Sequence, residues 1–421
     1  MGPRLVYRTR QSLTQGDRRP RIPTAAARYS AGVKAGNPTL SSYGTTIFEA
    51  MSALAREHAA VNLGQGFPDD RGRLDLRKAA ADYVIDGHNQ YPPMMGMPGL
   101  RQAVAAHDKR FYGLDVDWQT EVLITSGATE ALLDCFLGLL EAGDEVVLLE
   151  PAYDTYAPVI RRLGVVPRAV RLVPPTWSLP RDELAAAFSP KTKLLVLNSP
   201  MNPAGKVFTH DELTFIASLV QQHDAFAVCD EVYEHLIFGT ARHIPLMTLP
   251  GMRERALRIG SAGKTFSVTG WKVGYITAPA AVLRPITKAH QFVTFTTPPN
   301  LQHAVALGLG LDDSYFHGLG APLARSRDRL ASGLASLELP VLPCDGTYFV
   351  VLDVSRWLRP DEDDIAFCRR LVVEAGVVLI PMSAFYEAGP PRHLVRACFC
   401  KEDATIDAAL QRLHSWVAKH R

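Results

Sequence analysis

Apolar residues first recur at helical spacing over 45–57, where Ile47, Met51, Leu54 and Ala55 share one face and predict a helix. The turn-rich run Asn62-Leu63-Gly64-Gln65-Gly66-Phe67-Pro68 follows. Five short, almost wholly apolar runs come next, at 121–125, 145–149, 193–198, 226–230 and 256–260. Helical spacing fills the segments between them at 130–140, 181–188 and 211–223. Strands that are apolar on both faces and alternate with helices predict a mostly parallel sheet covered on both sides, an α/β fold. Past about Leu311 the pattern changes to helices at 321–337, 363–374 and 403–417 with strands near 346–353 and 394–400. That mixture predicts a smaller α+β domain.

Composition narrows the class. A chain of 421 residues is too long for one small core. The expected division is a basic, disordered extension over 1–40, an N-terminal helix and arm over 41–66 that packs on the small domain, a large domain over 67–310 and the small domain over 311–421. With no repeat or flexible linker, the two domains should pack closely. A formal charge of +2 gives no electrostatic support for a nucleic-acid or membrane partner, and no apolar run is long enough to span a bilayer. The six cysteines are scattered without a CxxC pair, which predicts buried, reduced thiols and a cytoplasmic location. Arg4, Arg8, Arg10, Arg18, Arg19, Arg21 and Arg28 face a single acid, Asp17, in the extension, a pattern also seen in organelle transit segments. No histidine pair has metal-ligand spacing, so no metal is expected; His107, His223, His235 and His303 read as ordinary histidines.

Polar residues collect where the predicted strands end, which is where parallel sheets bind ligands. Ser126-Gly127-Ala128-Thr129 follows the first strand and opens a helix. Its small residues and free N–H groups suit a phosphate, although many such turns bind nothing. Asp230 closes another apolar strand, and a carboxylate there needs a cation or good hydrogen bonds; a protonated ring nitrogen, a helix cap or an ion pair would each serve. Gly263-Lys264-Thr265 looks like the end of a nucleotide-binding loop, but Arg258 stands where that loop needs glycine.

Several of these stretches together carry a resemblance: NLGQGF at 62–67, Asn89-Gln90-Tyr91, Asn202-Pro203-Ala204-Gly205, Asp230-Glu231-Val232-Tyr233, SAGKTFSVTGWKVGY at 261–275, and Arg396. From about Tyr43 onward the chain resembles the class I/II aminotransferases of the fold type I pyridoxal 5′-phosphate enzymes. It is most similar to the branch with kynurenine, glutamine, methionine and N-succinyldiaminopimelate aminotransferases and some cysteine-S-conjugate β-lyases. The resemblance implies that Lys264 is the Schiff-base lysine and proton shuttle. Asp230 would pair with the ring nitrogen, Tyr233 and Asn202 with the ring's phenolic oxygen, and Tyr153 would stack on the ring. Gly127, Ala128, Ser261 and Lys272 would hold the phosphate, with Tyr91 reaching in from a second copy, so a homodimer with shared active sites is implied. Arg396, Asn202 and Gly66 would bind the substrate α-carboxylate.

By the same resemblance Phe48, Tyr91 and Tyr153, with Phe295 and Thr296 of a second copy, would line an apolar side-chain pocket. No arginine lies at 294–297, which argues against a short dicarboxylate, while Arg71 and Arg73 keep a distal carboxylate in play. The implied activity is transfer of an amino group from an L-amino acid with an apolar, aromatic or methionine-like side chain to a 2-oxo acid by a ping-pong route. The alternatives are cysteine-S-conjugate β-elimination and N-succinyldiaminopimelate transamination. A non-catalytic cofactor-sensing DNA regulator would need a helix-turn-helix that the N-terminus lacks.

Overall fold

The structure, a computed structural model, describes Lys34 and residues 36–421. Most of the expected basic extension therefore lies outside the described residues. Two compact units are present, one ending at Gly44 and the other spanning Thr45–Arg421. In the first, the described part includes the one-turn helix Pro38–Ser41, capped by the Asn37 side chain.

The strands of the second unit are β1 (Val61–Asn62), β2 (Val122–Thr125), β3 (Glu145–Glu150), β4 (Val166–Arg171), β5 (Thr192–Asn198), β6 (Phe226–Asp230), β7 (Ala256–Ser261), β8 (Gly274–Thr277), β9 (Phe349–Asp353), β10 (Val377–Val378), β11 (Ile380–Pro381) and β12 (Leu394–Cys398). Seven of them form one sheet in the order β2-β8-β7-β6-β5-β3-β4. Pairing is parallel from β7 across to β4, and only β8 runs against its neighbours β2 and β7. The mostly parallel α/β expectation is met. β2, β3, β6 and β7 are buried along almost their whole length, as their unbroken apolar sequences predict.

Two strands of this sheet escaped the hydrophobic pattern. β4 reads Val-Pro-Arg-Ala-Val-Arg and lies at the edge, where proline and charge are tolerated and only Val170 is buried. β8 is four residues long and opens on a glycine, too short for a periodic signal.

A second, antiparallel sheet has the order β11-β12-β9, and β1 pairs in parallel with β10. The helix Ile47–Glu57, capped by Thr46, packs against helix Asp364–Ala375 and against β10 and β11. The helices expected at 321–337 and 403–417 appear as Gly320–Ala335 and Asp403–His420, packed on each other. No helix of the described residues is long and apolar enough to cross a membrane. All six cysteines are free and buried.

This architecture places the site. Because β2, β5, β6 and β7 run in the same sense, the residues that close them or follow them (Ser126 and Gly127, Asn198, Asp230, Ser261) emerge at one edge of the sheet.

Candidate active site

At that edge a cleft is lined by Gly127, Ala128, Tyr153, Asn202, Asp230, Tyr233, Ser261, Lys264 and Lys272, all expected from the sequence, together with Thr129, Asn198, Gly263 and Thr269. Nine residues from five sequence segments thus converge on one cleft.

Asp230 is the last residue of β6 and is 5 % exposed. Its Oδ2 accepts the Tyr156 hydroxyl at 2.5 Å, while Oδ1 is buried with no partner among the described residues. Burial pushes the carboxyl above the usual range, opposed by the Tyr156 hydroxyl and the nearby Lys264. A buried carboxylate oxygen left unpaired is costly. A cationic N–H placed there would satisfy it and return the group to its ionised form. The backbone is held firmly: the Asp230 carbonyl accepts from Asn198 Nδ2 at 2.8 Å and from the Ser199 amide at 3.2 Å.

The helix Ala128–Leu139 begins at the cleft wall, and Gly127 before it has φ +80°. A Cβ at Gly127 would lie 3.1 Å from Lys272 Cε, so the lysine packs where a side chain would stand. The resulting cradle has a helix N-terminus, the Ser261 hydroxyl and the Lys272 ammonium, which lies 3.5 Å from Thr129 Oγ1. Free N–H groups, a helix dipole and a cation make an anion site suited to a phosphate.

Lys264 lies in the one-turn helix Ala262–Thr265 directly after β7. Burial lowers the pKa of its amine, which raises the neutral, nucleophilic fraction. The amine donates to Tyr348 Oη at 3.0 Å, and Tyr348 in turn donates to the Gly66 carbonyl at 2.7 Å. A Cβ at Gly66 would come within 2.6 Å of Phe349 Cζ, so this close approach needs glycine.

Arg396, on β12, is 2 % exposed and has no carboxylate within ion-pair distance among the described residues. Its Nη1 donates to Asn202 Oδ1 and its Nη2 to the Gly64 carbonyl, both at 2.8 Å, while Nε is buried without a partner among the described residues. The guanidinium lies 4.0 Å from the Phe349 ring centroid and 5.2 Å from those of Phe48 and Phe385. An aromatic box around a buried cation with an unused N–H is a receptor for a small anion such as a carboxylate.

Three expected residues stay out of this arrangement within one chain. Tyr91 is 83 % exposed and meets the 41 % exposed Phe295 edge-on, with ring centroids 5.7 Å apart. Thr296, next to them, has a buried hydroxyl without a partner. None of the three lines the cleft. Conversely, sequence reasoning missed Tyr156, Tyr348 and the ring box of Phe349 and Phe385. Tyr348 and Phe349 straddle the start of β9, and their alternation sends one to Lys264 and the other to Arg396. His107 and His235 have ring nitrogens 2.8 Å apart, and with Glu234 they are close enough to hold an ion, as are Glu130, Asp134 and His290. Sequence spacing carries no trace of either group.

Known proteins resemble this chain in sequence and fold. Residues 59–413 match the family described as aminotransferase class I and II. A probable N-succinyldiaminopimelate aminotransferase of Mycobacterium tuberculosis is 44 % identical over 385 residues, spanning 89 % of this chain and 96 % of the relative. A methionine aminotransferase of Escherichia coli is 40 % identical over 374 residues, spanning 89 % and 96 %. The solved structure of N-succinyldiaminopimelate aminotransferase from Mycobacterium tuberculosis superposes with a TM-score of 0.88 at 43 % identity, covering 91 % of this chain and all of that one. A lysine, a lone buried carboxylate and an unpaired arginine gathered on this fold, in a sequence this similar over nearly its whole length, make the chain an aminotransferase of the class I and II family.

Proposed function

We propose that the protein is a pyridoxal 5′-phosphate-dependent aminotransferase that takes the amino group of an L-amino acid with an apolar, aromatic or methionine-like side chain and passes it to a 2-oxo acid in two half-reactions. The observation that carries this reading is a pair of buried polar atoms unmatched among the described residues, Asp230 Oδ1 and Arg396 Nε, together with the buried Lys264 amine. The first suits a protonated ring nitrogen and the second a substrate carboxylate. When bound, the cofactor supplies an aldehyde for the amino group and a ring that draws electrons from the substrate Cα.

This chain's residues do the rest. Lys264, with its amine biased toward the neutral form, would act as the base that takes the proton from substrate Cα. Asp230 would pair with the ring nitrogen and be ionised by it, and its Tyr156 hydrogen bond keeps the carboxylate oriented. Asn202 gives its oxygen to Arg396, which leaves its amide N–H groups, with the Tyr233 hydroxyl, for the phenolic oxygen. Tyr153, Gly127, Ala128, Ser261 and Lys272 all line the cleft; Tyr153 would cover the ring face, and the other four would hold the phosphate. Arg396 fixes the substrate carboxylate beside Asn202 and Gly66.

The exposed pair Tyr91 and Phe295, with Thr296, fits a role in a second copy's site, so we infer a cytoplasmic homodimer whose large (67–310) and small (311–421) domains close each cleft. Phe48, beside Arg396, begins the apolar side-chain pocket that Phe295 and Thr296 of the second copy would complete. A second reading, N-succinyldiaminopimelate as donor, is favoured by the Mycobacterium tuberculosis relative and by Arg71, which is exposed while Arg73 is tied to Asp75 at 2.6 Å. A panel of amino donors, each paired with several 2-oxo acids, tests the choice. Faster turnover with methionine and aromatic donors than with aspartate supports the first reading. Turnover confined to a succinylated diamino acid supports the second, and no transfer from any donor rejects both.

A further inference from the structure

The Lys264 amine makes one hydrogen bond among the described residues, to Tyr348 Oη at 3.0 Å. A phenol carries one proton, and that of Tyr348 goes to the Gly66 carbonyl at 2.7 Å. Its oxygen can therefore only accept from the lysine. Tyr348 is 1 % exposed, its ring sits edge-on against Tyr233 at 5.2 Å, and its carbonyl accepts the Phe399 amide at 2.9 Å. The phenol is thus fixed from both its backbone and its ring. Lys264 and Tyr348 also form part of the wall of a second cavity, shared with Asp69, Asp70, Lys401 and Glu402. An amine released from Tyr348 has this cavity to move into.

We propose that Tyr348 is a positioning residue for transamination: it holds the Lys264 amine whenever that amine is free and ties its place to Gly66, beside the arginine that binds the substrate carboxylate. This deepens the proposed function and rests on Lys264 being the reactive lysine. Free lysine must stay within reach of substrate Cα to move the proton, and small misplacement of a base is expensive in rate. An acceptor-only phenol also favours the charged amine over the neutral one, opposing the effect of burial.

Tyr348→Phe keeps the ring and removes the oxygen. In cofactor-free protein, acylation of Lys264 by an anhydride across a pH series, read by mass spectrometry, should show its midpoint moved about one unit lower than in the wild type. In the loaded enzyme kcat should fall about tenfold or more while KM for the amino acid changes less than about twofold. Tyr348→Gln, which restores an acceptor, should recover part of both. An unmoved labelling midpoint overturns the proposal, including the case in which only the melting temperature drops, and so does a moved midpoint with unchanged kcat. Borohydride trapping of the cofactor on wild-type Lys264 is the separate control: its failure condemns the function reading itself, whereas trapping with an unmoved midpoint condemns only the role of Tyr348.

Discussion

Asp230 keeps one oxygen buried and unmatched among the described residues, and a cation filling that vacancy would relieve its cost. Asp230→Ala should lower transamination at least about a hundredfold, measured as kcat with saturating cofactor, because nothing then keeps a ring nitrogen protonated. Arg396 presents the opposite vacancy. Arg396→Lys retains charge but not the planar fork, and KM for both amino and 2-oxo acids should rise about tenfold or more in steady-state kinetics. Both residues were legible in the sequence because each falls within or near a recognisable block, at a strand end or on a strand. Tyr156 and Tyr348 were not, because a tyrosine in an apolar neighbourhood looks like packing until its hydroxyl is seen to meet Asp230 or Lys264.

Between elements, a buried cluster joins the helix that carries the cradle to the surface segment around Phe295. Glu130, in the first turn of Ala128–Leu139, accepts from the Ser126 amide and Thr294 and from His290 Nδ1 at 2.9 Å. His290 Nε2 donates to the Met94 carbonyl at 3.0 Å, and Asp134 lies 3.5 Å from Nδ1. With acceptors at both ring nitrogens the imidazole is held charged: although burial opposes it, the Asp134 and Glu130 hydrogen bonds raise its pKa to about 9. A histidine raised from 6.5 to about 9 contributes stability that is complete below 6.5 and is lost as pH climbs through 9. Asp134, raised by burial to about 6, also favours the folded state more at the acid end, while Glu130, lowered mainly by its His290 and Thr294 bonds against burial, contributes above its ordinary pKa and loses that as pH falls. The melting temperature should therefore decline between pH 6.5 and 9, and His290→Gln should flatten that decline. An equal decline in the variant would assign it elsewhere. The long apolar strands and capped helices were readable from periodicity; this cluster was not, because Glu130 and His290 stand 160 positions apart. β4 was hidden for a related reason, since its edge position frees it from the apolar pattern that betrays central strands.

At the scale of the molecule, the exposed aromatic surface at Tyr91, Phe292 and Phe295 is costly for a solitary chain and economical for a pair. Phe292, 82 % exposed, is the direct probe: Phe292→Glu should shift sedimentation from dimer toward monomer and lower activity with it, although the residue lies outside the cleft of its own chain. Monomeric wild-type protein at full activity would contradict the shared-site account. A different liability lies deep in the large sheet, where Arg258 meets Glu231 at 2.6 Å, Glu234 at 2.9 Å and also Asp108. Removing this one cation strands three buried carboxylates, so Arg258→Met should cost about 3–5 kcal/mol in denaturant unfolding. The account as a whole stands on the chemistry of one side chain. Purified protein supplied with pyridoxal 5′-phosphate, reduced with borohydride, digested and read by mass spectrometry should carry the reduced adduct on Lys264, with no such adduct in Lys264→Ala. A wild-type digest with unmodified Lys264, or with the adduct only on other lysines, would contradict it.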